Sequence, residues 1–370
     1  MNKNIRKIIW ITADYFIDVD FMLVPYLREH YDINIDWVVI KGYKSNISID
    51  STLNCKLYEL KHSFRDFRLI NDFKNIFDEV KLRNADLIYS NYVGVPTYYP
   101  YLFFYTRMRI PIVHAAHNVI PYAVWPKKLT WYVNFIFRFN KYFQLFSKFT
   151  AEYFKNKYPQ KSYFYCPMTL KGYGKVTTDN YHLDTNKVNL LFFGNVIDNK
   201  RLDLLIDSIK SLPENLADRI HLSICGNCKT PEKYTLQIGH ARNISVHFKR
   251  IDDCEVAELF TKHSYLVLPY EAVAQSGPHM IAYYYNLPVI ASNIEGFTER
   301  IEDGKNGFLF EVNNKVDLIR VINQVVNMKQ EKYKQLKENL KKYSSEHFGL
   351  ENISQKYIDY FQTILGQSHV

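Results

Sequence analysis

The stretch Leu268–Phe310, LPYEAVAQSGPHMIAYYYNLPVIASNIEGFTERIEDGKNGFLF, reads as strand, polar loop, helix, short strand, loop, helix, turn and strand. An apolar strand, Tyr265–Tyr270, leads into the polar loop Glu271–Gly277, and a helix opens at Pro278. Proline suits the first turn of a helix, where its missing N–H would have no partner anyway. The amides of Ser276, Gly277 and the next residue with a free amide, His279, then point outward at the positive end of the helix dipole. Such a helix start is an anion site, and phosphate is its usual occupant. Gly277 lets a ligand come close to the backbone. Glu271 and Gln275 add side chains able to hold hydroxyl groups.

The segment resembles the donor-sugar signature of glycosyltransferase family 4. The matching pieces are Pro269-Tyr270-Glu271, Gln275-Ser276-Gly277, Leu287-Pro288-Val289-Ile290-Ala291-Ser292 and Glu302-Asp303-Gly304-Lys305-Asn306-Gly307. They fit the sub-pattern Pro-Tyr-x-Glu or similar followed by Gln-Ser-Gly, typical of bacterial polysaccharide-assembly transferases. The two Glu residues that the family often carries eight positions apart fall on Ala274 and Ala282 here. The motif therefore does not identify the partner of the donor ribose.

A chain of 370 residues with 47% hydrophobic content suits two domains with large cores. No window reaches the roughly 18 uninterrupted apolar residues of a membrane span. The basic N-terminus leads into an apolar run broken at Asp14, a poor signal peptide and a good first strand. Five sparse cysteines fit a reducing cytoplasm better than a disulfide framework. Cys225-Gly226-Asn227-Cys228 follows a strand; without a second pair at ligand spacing it reads as a strand-end turn near the donor site rather than a zinc site.

The net charge of +9 is uneven: no acidic residue lies between Asp86 and Glu152, a span that holds Arg107, Arg109, Lys127, Lys128, Arg138, Lys141 and Lys148. The same span is rich in Trp, Tyr and Phe. It carries no nucleic-acid recognition motif, and an aromatic, basic helix fits an anionic membrane surface or a core helix with a solvated basic edge.

Strands are read at Ile5–Ile11, Ile35–Ile40, Lys56–Leu60, Leu87–Ser90 and Ile110–Ala116, with helices at Leu23–Glu29 and Phe64–Arg83. Met168–Asn186 loses this rhythm. The pattern restarts with strands at Val188–Phe193, Ile220–Ile224, Ile244–Phe248 and Tyr265–Leu268, and helices at Leu202–Ser211, Glu255–Lys262, Lys315–Met328, Glu331–Tyr343 and Asn352–Thr363. Alternating strands and helices predict parallel sheets covered on both faces. The expected domains are 1–170, a linker at 171–186, 187–349, and a C-terminal helix within 350–370.

The family resemblance implies the α/β fold called GT-B: two doubly wound, Rossmann-like domains facing a cleft, with the C-terminal helix crossing back onto the first. Ligands of such sheets bind at the carboxyl ends of the strands. At the first of these in the second half, Gly194 and Lys200 match the family, Asn195 replaces its Arg, and Arg201 stands beside Lys200. Cations sit poorly at a helix N-terminus unless an anion binds there, so Lys200 and Arg201 read as a diphosphate clamp. In the first half, His117, followed by Asn118 and Pro121, matches the family histidine that faces the donor sugar; His114 reads as a core or supporting residue. Asp14, Asp18 and Asp20 lie in the loop after the first strand. Asp-x-Asp holds a divalent ion in the other large glycosyltransferase fold; this early in the chain it reads as an acceptor-side loop or helix cap.

The implied function is a retaining, metal-independent hexosyltransferase that moves a sugar from a nucleotide-diphosphate donor to a glycan or lipid-linked acceptor in cell-surface polysaccharide assembly. It would be cytoplasmic, or peripheral on the inner face of the membrane, with no cofactor beyond the donor. The resemblance assigns His117, Lys200 and Glu271 to catalysis. It assigns Gly194, Asn195, Arg201, Gly226, Gln275, Ser276, Gly277, Pro278 and His279 to the donor, and Asp14, Asp18 and Asn118 to the acceptor side. The alternatives are a GT-B sugar-nucleotide epimerase, which needs no acceptor, and a catalytically silent sugar-nucleotide binder.

Overall fold

Among the described residues of the computed structural model, thirteen strands pair in parallel, in two sheets. The structure describes residues 7–47, 49–117, 119–120 and 127–367. The chain divides into one unit made of Met1–Thr169 with Leu350–Val370, and another made of Leu170–Gly349.

In the first unit the strands are β1 (Ile8–Ala13), β2 (Ile35–Lys41), β3 (Lys56–Glu59), β4 (Leu87–Asn91), β5 (Ile112–Ala116), β6 (Tyr142–Leu145) and β7 (Ser162–Tyr165), in the spatial order β3-β2-β1-β4-β5-β6-β7. The central strands are continuous apolar runs because both faces of a parallel sheet are covered; every residue of β1, β4 and β5 is buried. Helix Leu69–Glu79 is shorter at both ends than the pattern over 64–83 predicts. Left-handed Lys81, at φ 52°, ends the helical path. Strands β6 and β7 and the helix Lys148–Lys157 between them have no counterpart in the sequence reading. The helix Leu350–Gln367 belongs to this unit. Its Tyr357 hydroxyl donates to Gln144 on β6 at 2.8 Å, and Tyr360 stacks on Phe164 of β7 at 4.5 Å.

In the second unit β8 (Val188–Phe193), β9 (Ile220–Cys225), β10 (Ile244–His247), β11 (Tyr265–Leu268), β12 (Val289–Ser292) and β13 (Gly307–Phe310) stand in the order β10-β9-β8-β11-β12-β13. Apolar side chains of helices Leu202–Lys210 and Lys315–Val326 fill its core against these strands. Part of the stretch read as a linker is tied down here. Glu258 accepts from the backbone of Asn180 at 3.0 Å and of Tyr181 at 2.7 Å, and from the Thr178 hydroxyl at 2.5 Å.

Both sheets reverse direction beside their first strand, between β1 and β4 and between β8 and β11. A reversal opens a crevice at the carboxyl ends of those strands, because the two connections leave to opposite sides. The chain segments at these two places hold most of the chemistry-bearing residues.

Candidate active site

In the second unit the loops after β8 and β11 lie against each other. Gly194 follows β8 with φ 102°, a conformation that favours glycine. A Cβ built there would stand 3.1 Å from the Lys200 ammonium and 3.6 Å from Pro278. The loop turns through Asp198–Lys200, and left-handed Arg201 opens helix Leu202–Lys210. The Lys200 ammonium lies 5.4 Å over the ring of buried Tyr270, the second residue after β11. Burial lowers its pKa to about 8. Among the described residues no carboxylate pairs with it. A partly desolvated cation without a counter-ion is poised for an anionic ligand.

The helix after this loop is Gly277–Tyr284, opening one residue earlier than the sequence predicts. Ser276 caps it, its hydroxyl accepting from the His279 amide at 3.4 Å. A second cation reaches this helix start: Lys171, buried, has its ammonium 3.2 Å from the place a Gly277 Cβ would take. In the sequence, Lys171 falls in the expected linker at 171–186. Its only signal is the motif Lys171-Gly172-Tyr173-Gly174, with no periodicity to place it.

The remaining donor-side candidates separate into three groups. Glu271 is exposed in the loop; its amide donates to the Asn199 carbonyl at 2.8 Å and its carboxylate accepts from Asn313 at 3.4 Å. Asn195 is exposed and Gln275 is half-buried in the same loop region. Arg201 does not stand open beside Lys200. Asp203 holds its guanidinium at 3.1 Å and Asn313 takes another of its N–H groups, so its charge is already met. Asn313, which touches both Glu271 and Arg201, carries no sequence motif. Gly226 shapes the backbone: at φ 150° a Cβ would collide with the Gly194 carbonyl at 2.1 Å. His279 is a correction. Its amide serves the helix cap, but its ring is buried, edge-on to Tyr283 at 4.2 Å, and burial drives its pKa well below the usual range. Burial likewise pushes the Cys225 thiol up to about 12, so it stays a protonated core residue.

The two positions where the resemblance expects carboxylates are packed in this structure. Ala282 is fully buried and Ala274 nearly so. A Glu at 282 would place an ionised group inside the second unit's core, at high cost.

In the first unit His117 follows β5. Phe16 stacks on one face of its ring at 3.9 Å and Phe146 on the other at 4.5 Å. Its Nε2 meets the Asn91 side-chain oxygen at 2.7 Å, and the Asn91 amide donates to Asp20 at 2.9 Å. Asp20 is fully buried, also accepting from the Thr12 hydroxyl at 2.7 Å. Asp14 is buried and accepts from the backbone of Tyr15 at 2.9 Å and Gly42 at 3.2 Å, a loop-bracing role. Asp18 is half-buried. Asp20 of the Asp-x-Asp pair is turned to Thr12 and Asn91. Among the described residues no cluster of three or more His, Cys, Asp or Glu fits a metal ion. His114 is a core residue: its Nδ1 meets the Tyr99 hydroxyl at 2.5 Å, and burial lowers its pKa to about 3. Asn118 and Pro121 lie outside the described residues.

Residues 177–343 match the family model described as glycosyl transferases group 1. Two uncharacterized glycosyltransferases of Methanocaldococcus jannaschii are similar to part of the chain. One is 26% identical over 182 residues, 49% of this chain and 46% of the relative. The other is 31% identical over 156 residues, 42% of each. The matches thus span under half the length of these relatives. HepE of Anabaena, solved in complex with UDP and glucose, superposes on 96% of this chain and 99% of its own with a TM-score of 0.72 at 15% identity. The fold is GT-B. In that fold's terms the first unit is the N-terminal Rossmann-like domain with the C-terminal helix added, and the second carries the family-model match.

Proposed function

We propose that the protein is a glycosyltransferase whose second unit binds a nucleotide-diphosphate sugar and whose first unit receives the acceptor. The observation that carries this is Lys200: a desolvated ammonium with no carboxylate partner among the described residues, beside Gly194 and close to the start of helix Gly277–Tyr284. Two further facts support it. The family match covers this unit, and HepE has been solved with UDP-glucose as well as with UDP and glucose.

Transfer breaks the bond between the anomeric carbon and the phosphate oxygen, and negative charge grows on the leaving diphosphate. Fixed donors placed where charge develops lower the barrier most. Lys200, Lys171 and the amide of Gly277 are such donors, and they supply the counter-charge without a metal ion. Glu271 takes donor hydroxyls, and His117 takes the transferred sugar. Retention of anomeric configuration and a hexosyl donor follow from the family resemblance.

The acceptor we assign is a glycan or lipid-linked sugar of surface polysaccharide assembly, met at an anionic membrane face. On helix Lys127–Phe139, Trp131 is 65% exposed; it stacks on Phe135 at 6.0 Å, which leads to exposed Phe139 at 4.8 Å. Phe104 and Met108 are exposed as well, with Arg107 and Arg109 in the same acid-free span. Aromatic and basic groups together suit a headgroup boundary. Among the described residues no helix is long and apolar enough to cross a membrane.

The test is release of nucleoside diphosphate from a panel of nucleotide sugars, with and without glycan and lipid-linked acceptors, and with excess chelator in parallel. Acceptor-dependent release that survives chelation supports the assignment. Sugar interconversion without acceptor indicates an epimerase, and binding without turnover a silent binder. Loss in chelator, restored by magnesium or manganese, refutes metal independence.

A further inference from the structure

The hydrogen bonds that end on His117 run in a single direction, and two residues force it. Trp37 Nε1–H can only donate, and it donates to the Thr12 hydroxyl oxygen at 2.9 Å. The Thr12 proton is then free to go to Asp20 at 2.7 Å. An ionised carboxylate only accepts, so Asn91 turns its NH₂ group to Asp20 at 2.9 Å and its carbonyl oxygen to His117 Nε2 at 2.7 Å. A carbonyl oxygen has no proton to give, so Nε2 carries the hydrogen. In the neutral ring the lone pair then belongs to Nδ1. Phe16 and Phe146, nearly parallel to the imidazole at 14° and 19°, hold the ring in its plane.

We infer that Asp20 is a positioning residue: acting through Asn91, it fixes His117 as the Nε2–H tautomer and makes Nδ1 an acceptor for a substrate hydroxyl. The tautomer claim stands on the hydrogen bonds alone, whereas its catalytic consequence rests on the transferase reading above. Among the described residues no cation pairs with Asp20, so the carboxylate is not held by charge. A buried charge without a cation costs stability unless hydrogen bonds offset it, and here Thr12 and Asn91 both donate to Oδ2.

The relay also has a pH limit. Burial raises the Asp20 pKa to about 6, with the Thr12 and Asn91 hydrogen bonds acting in the opposite sense. The titratable groups whose charge bears on it are Asp18 on its own short helix, Tyr89 on β4 and Tyr357 on helix Leu350–Gln367. Burial keeps both tyrosines protonated, so neither supplies a competing charge near neutral pH. Once protonated, Asp20 can donate, and Asn91 loses the reason to keep its orientation.

The experiment is ¹⁵N NMR of histidine-labelled full-length protein, with the His117 signals assigned through His117→Gln. Near neutral pH the wild type should show a protonated Nε2 and an unprotonated Nδ1, and Asp20→Asn a mixture of tautomers. A wild-type ring protonated on Nδ1 alone overturns the inference, and this holds even if Asp20→Asn does not fold. A folded Asp20→Asn that keeps the single Nε2–H tautomer also overturns it. On turnover, Asp20→Asn should lower kcat for nucleoside diphosphate release about tenfold and leave the donor KM within about twofold, the mark of an interaction made in the transition state. Unchanged kcat refutes the catalytic consequence. If the wild type turns over no nucleotide sugar, the transferase reading fails, and the wild-type tautomer still decides the positioning claim.

Discussion

The Lys200 ammonium occupies the space that a side chain at Gly194 would begin to fill: a Cβ there would lie 3.1 Å from Nζ. Glycine at 194 suits its φ of 102°, and a Cβ there would crowd the lysine folded beside it. The same enclosure lowers the Lys200 pKa to about 8, whereas a lysine in the unfolded chain titrates near 10.4. Between these values the unfolded chain holds more protons, so the contribution of this group to stability rises with pH across that window. Diphosphate affinity moves the other way, because the anion needs the charged form. Calorimetric affinity for UDP should fall as pH rises through 8, with proton uptake on binding, and Lys200→Arg should flatten the profile. A wild-type affinity constant from pH 7 to about 9.5 would remove Lys200 from the contact.

Glu271 should matter more than any carboxylate in the following helix, because Ala282 closes the usual second position with core packing. Glu271 is exposed and, among the described residues, hydrogen-bonded through its side chain to Asn313 and through its amide to Asn199, so Glu271→Ala should leave the melting temperature nearly unchanged. Transfer should fall by about tenfold or more, the loss of one charge-assisted hydrogen bond. A fall of less than a few-fold would show that Glu271 does not touch the donor.

The exposed ring of Trp131 reports on the membrane proposal directly. Co-sedimentation with anionic vesicles should exceed that with neutral vesicles and fade with salt, since the Debye length is about 8 Å at physiological ionic strength. Trp131→Ala should weaken it at every salt concentration. Equal binding to both lipids, or to neither, would reduce this face to the solvated edge of a structural helix.

Much of the scaffold is legible because parallel strands are buried on both faces and read as apolar runs. Strand β6 escapes this logic. It is four residues long, and its Gln144 looks like a surface residue until Tyr357 is seen donating to it from the far end of the chain. The capped helix start at Ser276–Gly277, the proposed anion site, is legible because one short segment carries cap, glycine and proline together. Lys171 is not: an irregular path brings it to Gly277 from more than a hundred residues earlier. Arg201 shows the opposite limit, since its proximity to Lys200 in sequence says nothing of Asp203 and Asn313, which hold it. Asp20, half of an apparent metal motif, is turned inward by partners on β1 and β4 that no local pattern announces.

The central claim is that the second unit holds a nucleoside diphosphate by its phosphates, through Lys200 and the start of helix Gly277–Tyr284. The direct measurement is equilibrium binding of UDP, UMP and uridine to the wild type and to Lys200→Ala, by calorimetry at pH 7. The account predicts UDP well above UMP and uridine in affinity for the wild type. It predicts a loss of about 1.5–3 kcal/mol for UDP in a folded Lys200→Ala, with uridine affinity unchanged. Equal UDP affinity in the two proteins, or a wild type that does not distinguish UDP from uridine, would contradict it.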